Sequence, residues 1–264
     1  MLTTAFRPGS PDWLDLGSPD TRASVAFYTA LFGWTFDSAG PETGGYGFFQ
    51  LDGRTVAALG PLLDEGALPA WTLYFATLDA DRTTELVEQA GGRVRFTPFD
   101  VFTAGRMAGY TDPTGAEFAV WQPHDTRGLD VVTESGSLCW AECYSVDAER
   151  AKSFYRAVFG WQEQDVPVGE ALLYTVLTPA GGGSDDAHGG IMQLPPEQTA
   201  AGTTSHWLPY FEVPDVDGCY ARAEQLGATP RISPVDVHGV GRLAQLHDPH
   251  GAVFAVITTA KPGG

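Results

Sequence analysis

Two acidic residues each stand two places after a tryptophan, in Trp13-Leu14-Asp15 and in Trp140-Ala141-Glu142. In an extended strand, residues two apart share a face. Each pair therefore presents an indole beside a carboxylate. An indole stacks on flat apolar rings, and a carboxylate orients a hydroxyl or amine, or takes a proton as a general base. Asp15 and Glu142 are thus the candidate acid–base residues, although capping a backbone group or pairing with an arginine is their plainer use. Trp13 and Trp140 are candidate ligand contacts, and their plainer use is to plug a cavity or an interface between repeats.

The doubling extends to most of the chain. Phe27-Tyr28-Thr29-Ala30-Leu31-Phe32-Gly33-Trp34 returns as Phe154-Tyr155-Arg156-Ala157-Val158-Phe159-Gly160-Trp161, an offset of 154 − 27 = 127. Gly105-Arg106 through Asp112-Pro113-Thr114-Gly115 returns as Gly241-Arg242 through Asp248-Pro249-His250-Gly251, an offset of 241 − 105 = 136. A module of domain size is present twice in the same order. The expected division is 1–124, a linker over 125–136, and 137–260. The difference of nine in offset points to an insertion at Gly181-Gly182-Gly183-Ser184-Asp185-Asp186, expected to be a mobile loop over the second copy's cup.

The elements that must position these residues follow from periodicity. In each copy a strand, a helix and several strands recur twice, giving β-α-β-β-β half-units and an α+β fold. Ser18 and Pro19 suit a helix start, and Gly33 a left-handed helix end. Alternation puts Tyr74 beside Thr72, Glu117 and Trp121 beside Ala119, and Tyr210 beside Leu208. Trp34 and Trp161 are expected in the core. Arg106 and Arg242 are expected to pair with carboxylates.

Composition narrows the classes. The net charge of 15 − 33 = −18 repels nucleic acid and anionic lipid. Three cysteines without a C-x-x-C pair argue against a disulfide framework or zinc knuckle. No apolar stretch approaches the length of a membrane span, and no secretory signal is visible, so a cytoplasmic protein is expected.

The doubled F-Y-x-x-x-F-G-W helix end and the G-R…D-P-x-G hairpin, set in four β-α-β-β-β half-units, resemble the vicinal oxygen chelate superfamily. That superfamily includes glyoxalase I, extradiol dioxygenases, fosfomycin-resistance enzymes and bleomycin-binding proteins. The resemblance implies two tandem domains whose curved sheets form cups. It also implies a divalent metal held by a first-strand His, a His on the strand opening the second half-unit, and a last-strand Glu. Carried onto this sequence, those positions are Trp13, Thr72 and Ala119 in copy one, and Trp140, Leu208 and Ala255 in copy two. None offers an imidazole or carboxylate, so no metal and no other cofactor is expected.

The resemblance then leads to the metal-free members among actinobacterial antibiotic proteins. These are bleomycin-type resistance proteins and accessory "hydroxylase" proteins of aromatic polyketide pathways. The first expectation is metal-independent binding of a flat, hydroxylated aromatic compound by Trp13, Trp140, Tyr74, Glu117, Trp121 and Tyr210. The purpose would be sequestration or delivery to a partner oxygenase. The second is a cofactor-independent tailoring enzyme with Asp15 or Glu142 as general base. The third is a metal-dependent lyase or dioxygenase using Glu117 and copy-two histidines. A monomer and a homodimer are both open.

Overall fold

Four aspartates start the four long helices. The side chains of Asp20, Asp79, Asp147 and Asp215 each accept from a backbone N–H three residues on, satisfying a donor that the first helical turn leaves without a partner. The first of these corrects the sequence expectation. Ser18 is not the cap: its Oγ accepts from the Asp20 N–H and bonds to Ser24 Oγ at 2.8 Å, fixing the entry to the helix. Gly33 and Gly160 end their helices in the left-handed conformation, as their positions predict.

The computed structural model describes residues 2–62, 66–168 and 172–260. The first copy runs β1 (Pro11–Ser18), α1 (Thr21–Phe32), β2 (Thr35–Ser38), β3 (Gly47–Leu51) and β4 (Arg54–Pro61). It continues with β5 (Ala70–Ala76), α2 (Ala80–Gln89), β6 (Arg93–Val101), β7 (Gly105–Thr111) and β8 (Glu117–Pro123). The second copy runs β9 (Leu138–Ser145), α3 (Ala148–Phe159), β10 (Gln162–Val168), β11 (Leu172–Thr178) and β12 (Gly189–Gln193). After a short helix α4 (Pro196–Ala200) come β13 (His206–Glu212), α5 (Val216–Gln225), β14 (Thr229–Val237), β15 (Gly241–His247) and β16 (Val253–Thr259). Each copy forms one eight-stranded sheet, ordered β2-β3-β4-β1-β5-β8-β7-β6 and β10-β11-β12-β9-β13-β16-β15-β14. Within each half-unit the first strand lies parallel to the last, as the β-α-β-β-β reading requires. No helix among the described residues is long and apolar enough to cross a membrane.

By contact, the chain groups into two units that each draw on both copies. One holds Met1–Trp13, Thr72–Gly128 and Trp140–Leu208, and the other holds Leu14–Trp71, Leu129–Cys139 and Pro209–Gly264. The repeated motifs explain the exchange. In the second unit the Trp71 indole donates to the Tyr28 hydroxyl at 3.0 Å, and Tyr28 donates to Asp248 at 3.1 Å. In the first unit the Trp207 indole donates to Tyr155 at 2.7 Å, and Asp112 faces the same phenol. Burial, then the Asp112 charge, push the Tyr155 pKa up. The D-P-x-G aspartates also hold their own turns: Asp112 Oδ1 accepts from the Thr114, Gly115 and Ala116 N–H groups. The helix tyrosine of one copy thus meets the turn aspartate of the other. Trp34 and Trp161, both 2% exposed, donate to the Gly136 and Gly9 carbonyls, two glycines separated by the same offset as the helix ends.

Two details depart from expectation. Leu129, Val131 and Val132 of the linker are buried, and Asp130 exchanges hydrogen bonds with the Thr55 backbone, so the linker is a packed segment of its unit. The extra length of copy two is spread over three places. Equivalent pairs read from the registers are Phe48 and Val176 (offset 128), Ala58 and Gly190 (offset 132), and Tyr74 and Tyr210 (offset 136). The Gly181 stretch therefore takes only part of it, ending in a one-turn helix whose Asp186 faces Arg7 at 3.8 Å. Arg106 and Arg242 each bridge two aspartates, as expected.

Candidate ligand-binding faces

In the first unit, β9 brings Trp140 and Glu142 onto one face, as alternation requires, and a third residue joins them. The Trp140 indole donates to the Tyr174 hydroxyl at 2.7 Å, and Tyr174 hydrogen-bonds Glu142. Burial raises the phenol's pKa and the Glu142 charge raises it further, while the Trp140 N–H opposes both. Glu142 is 6% exposed. The register sets this up: Glu142 lies opposite Gly190, and Gly190 opposite Val176, which puts Tyr174 on the same face two residues away. A Cβ on Gly190 would sit 2.2 Å from the Tyr174 ring, so the ring needs glycine beneath it. One step further along β9, Tyr144 stacks on His206 with ring centroids 5.3 Å apart and planes 12° apart.

Copy one repeats the carboxylate–phenol pair inside the second unit. Tyr46 donates to Asp15 at 3.2 Å. Its ring also lies against a glycine, since a Cβ on Gly60 would meet it at 2.9 Å. Sequence reading missed Tyr46 and Tyr174. The available signal was a tyrosine at nearly the same offset, 174 − 46 = 128, in Tyr46 next to β3 and Tyr174 within β11.

The remaining predicted residues fall in distinct settings. Trp13 and Trp121, each 7% exposed, stack with centroids 6.4 Å apart and planes 22° apart, and the Trp121 indole donates to the Thr126 carbonyl. Tyr74 lies opposite Ala119, one step along the face from Trp121. Glu117 is exposed and pairs with Arg95 at 3.1 Å. Tyr210, in the second unit, accepts from the Gln245 amide at 2.9 Å. Trp13, Tyr74 and Trp121 therefore lie close together on one sheet, and Trp140 meets Glu142 through Tyr174.

These faces do not suit the metal that the superfamily's enzymes hold. Thr72 and Ala119 lie on the face of Trp13, and Leu208 and Ala255 hold the corresponding positions on the second sheet, so none of the six supplies a usable ligand. Among the described residues no three His, Cys, Asp or Glu side chains lie close enough together to share a metal ion.

Fold, doubled half-units and motif positions define the class. The chain belongs to the glyoxalase/bleomycin resistance protein/dioxygenase superfamily, whose family model matches residues 10–120 and 138–256. It is 42% identical to "Anthracycline biosynthesis protein DauV" of Streptomyces sp. (strain C5), over 96% of this chain and 94% of that one. It is 38% identical to "Putative glyoxylase CFP32" of Mycobacterium bovis, over 97% of each chain. The crystal structure of 2,2',3-trihydroxybiphenyl 1,2-dioxygenase from Sphingomonas wittichii superposes with a TM-score of 0.63, covering 96% of this chain and 91% of that one. At 17% identity that likeness speaks for the fold alone.

Proposed function

We propose that this protein binds a flat, hydroxylated aromatic compound of polyketide type, without a metal, and serves a tailoring step by presenting the compound to a partner oxygenase. The observation that carries this reading is the chain Trp140–Tyr174–Glu142, a polar relay beside an indole where a metal enzyme of the superfamily would place its first ligand. The relay offers a carboxylate to a ligand hydroxyl and ring faces to an aromatic body. Asp15 with Tyr46, and Trp13 with Trp121, offer similar groups on the other sheet. The anthracycline name of one relative supports the choice of ligand class.

The test is titration of a dihydroxyanthraquinone against tryptophan fluorescence, using protein stripped with a chelator. Saturable binding is expected, weakened about tenfold by Glu142→Gln or Tyr174→Phe, the scale of one hydrogen bond to a charged group. No binding by the stripped protein, restored by a divalent metal, would end the metal-free reading. A second reading, acid–base catalysis, rests on the same Glu142–Tyr174 pair. Glu142→Gln would then abolish turnover while leaving affinity unchanged.

A further inference from the structure

Equivalent positions on the hairpin halves of the two sheets differ in chemistry. On the first sheet Phe96 lies opposite Gly109 and Phe99 opposite Met107, with Met107 in turn opposite Trp121. On the second sheet, at the offset of the D-P-x-G hairpins, the same registers pair Ile232 with Gln245, Val235 with Leu243, and Leu243 with Ile257. Three aromatic rings in copy one thus stand where copy two has three aliphatic side chains.

The rings of copy one are seated in a particular way. A Cβ on Gly109 would lie 2.1 Å from the Phe96 ring, and one on Gly105 would lie 2.4 Å from the Trp121 ring. Both rings therefore lie down on glycine backbone. Phe99 sets its edge against Phe96, with centroids 5.9 Å apart and planes 60° apart, and Trp13 stacks on Trp121. Phe96 is only half-buried and Phe99 is 46% exposed, so packing of the core does not account for them. Phe96 and Trp121 stand on β6 and β8, and their rings lie over Gly109 and Gly105 of β7 between them, four residues and roughly 13 Å apart along that strand. A single ring reaches one of them, whereas a fused system of three or more rings reaches both.

We infer that this face of copy one is a stacking floor selective for planar polycyclic aromatics, and that copy two is not. The inference rests on the aromatic-binding reading above and sharpens it: Phe96, Phe99 and Trp121, seated on Gly109 and Gly105, set the size of ring system accepted. Copy two carries a polar relay on its own sheet and no such floor.

The experiment compares a dihydroxyanthraquinone with catechol by calorimetric titration. Wild-type protein is expected to favour the anthraquinone at least tenfold. Phe96→Ile with Phe99→Val, which installs copy two's residues at two solvent-facing positions, is expected to lose at least tenfold in anthraquinone affinity. Ile232→Phe with Val235→Phe is expected to change it less than twofold. Gly109→Val keeps every ring but fills the seat of Phe96, and is expected to lose affinity as the double variant does. Circular dichroism on each variant separates a lost floor from a lost fold. An undiminished anthraquinone affinity in folded Phe96→Ile/Phe99→Val protein overturns the floor while leaving aromatic binding intact. Equal affinity for catechol and anthraquinone in the wild type overturns the size selection. If the wild type binds neither, the proposed function falls together with the inference.

Discussion

The buried and open sides of the sheets have had different histories. On the buried side one cluster is repeated residue for residue: Tyr28, Trp71 and Asp248 in one unit, Tyr155, Trp207 and Asp112 in the other. On the open side some positions are kept, such as Trp13 and Trp140 or Tyr46 and Tyr174, while others differ, with Asp15 against Glu142, Phe96 against Ile232, Trp121 against Ile257. Motifs that make a duplicated chain recognisable mark what both copies need in order to pack. Positions that are structurally repeated but chemically changed are free of that packing demand.

The largest expected effect breaks the buried side. Asp112→Ala removes the acceptor of three turn N–H groups and the carboxylate facing Tyr155, of which the Ala116 N–H and the Tyr155 hydroxyl are buried. Each buried donor left without a partner costs on the order of 1–3 kcal/mol, so a total loss of about 3–5 kcal/mol is expected by denaturant unfolding. Asp248→Ala should act similarly. A loss under about 1 kcal/mol in either would show that the motif aspartates are not the shared anchors that the geometry makes them.

A smaller effect concerns a buried position where the copies disagree. Asp12 corresponds to Cys139, each standing one place before the first-strand tryptophan of its copy. The Cys139 thiol donates to the Tyr210 carbonyl at 3.3 Å, whereas neither carboxylate oxygen of Asp12 has a hydrogen-bond partner. Burial pushes the Asp12 pKa well above 3.8. A carboxyl whose folded pKa is raised destabilises nothing below its unfolded value and costs stability progressively as pH rises above about 4. Asp12→Asn should therefore stabilise the protein at pH 7, by about 1–3 kcal/mol, with the gain fading as pH falls towards 4. His188, whose pKa burial lowers to about 3, acts with the opposite sign between about 6.5 and 3. It is present in both proteins and cancels in the difference. A gain that does not change with pH would show that Asp12 is not the titrating group.

What is legible in the sequence follows from the same contrast. F-Y-x-x-x-F-G-W and D-P-x-G are visible because they occur twice, and the half-units follow from them. Which tyrosine meets which aspartate is not legible, because the two copies offer chemically identical partners. The cross-copy pairing of Tyr28 with Asp248 appears only in three dimensions. Trp140 and Glu142 emerge from period-two alternation, whereas Tyr174, on another strand, needs the register of β11 and β12. Phe96 and Phe99 are hidden for a different reason. Irregularities in the β6–β7 pairing between Val94 and Phe96, and again between Phe96 and Phe99, break the alternation that would have placed them on one face. A serine before a proline fits a helix cap, as at Ser18, but Asp20 beyond the proline reaches the Ala23 N–H.

The smallest effect separates two positions that look alike. Gly9 and Gly136 both have φ near +80° and both accept, through their carbonyls, from the indole of the opposite copy's F-G-W. A side chain at either costs about 1 kcal/mol for the left-handed backbone alone. The surroundings then differ. An alanine Cβ at 136 would sit 3.6 Å from the Trp34 Nε1, an ordinary contact, but at position 9 it would sit 2.7 Å from the Trp161 Nε1 and 3.1 Å from Phe159 Cβ. Trp161 is fixed by stacking on Phe159 and Tyr155, so it can yield only by stretching its bond to Gly9. Gly9→Ala should therefore cost about 1–2 kcal/mol more than Gly136→Ala, roughly one hydrogen bond. Thermal unfolding of the two variants measures the gap. Equal losses would mean that backbone conformation alone decides at both sites, and that the two indole anchors are interchangeable.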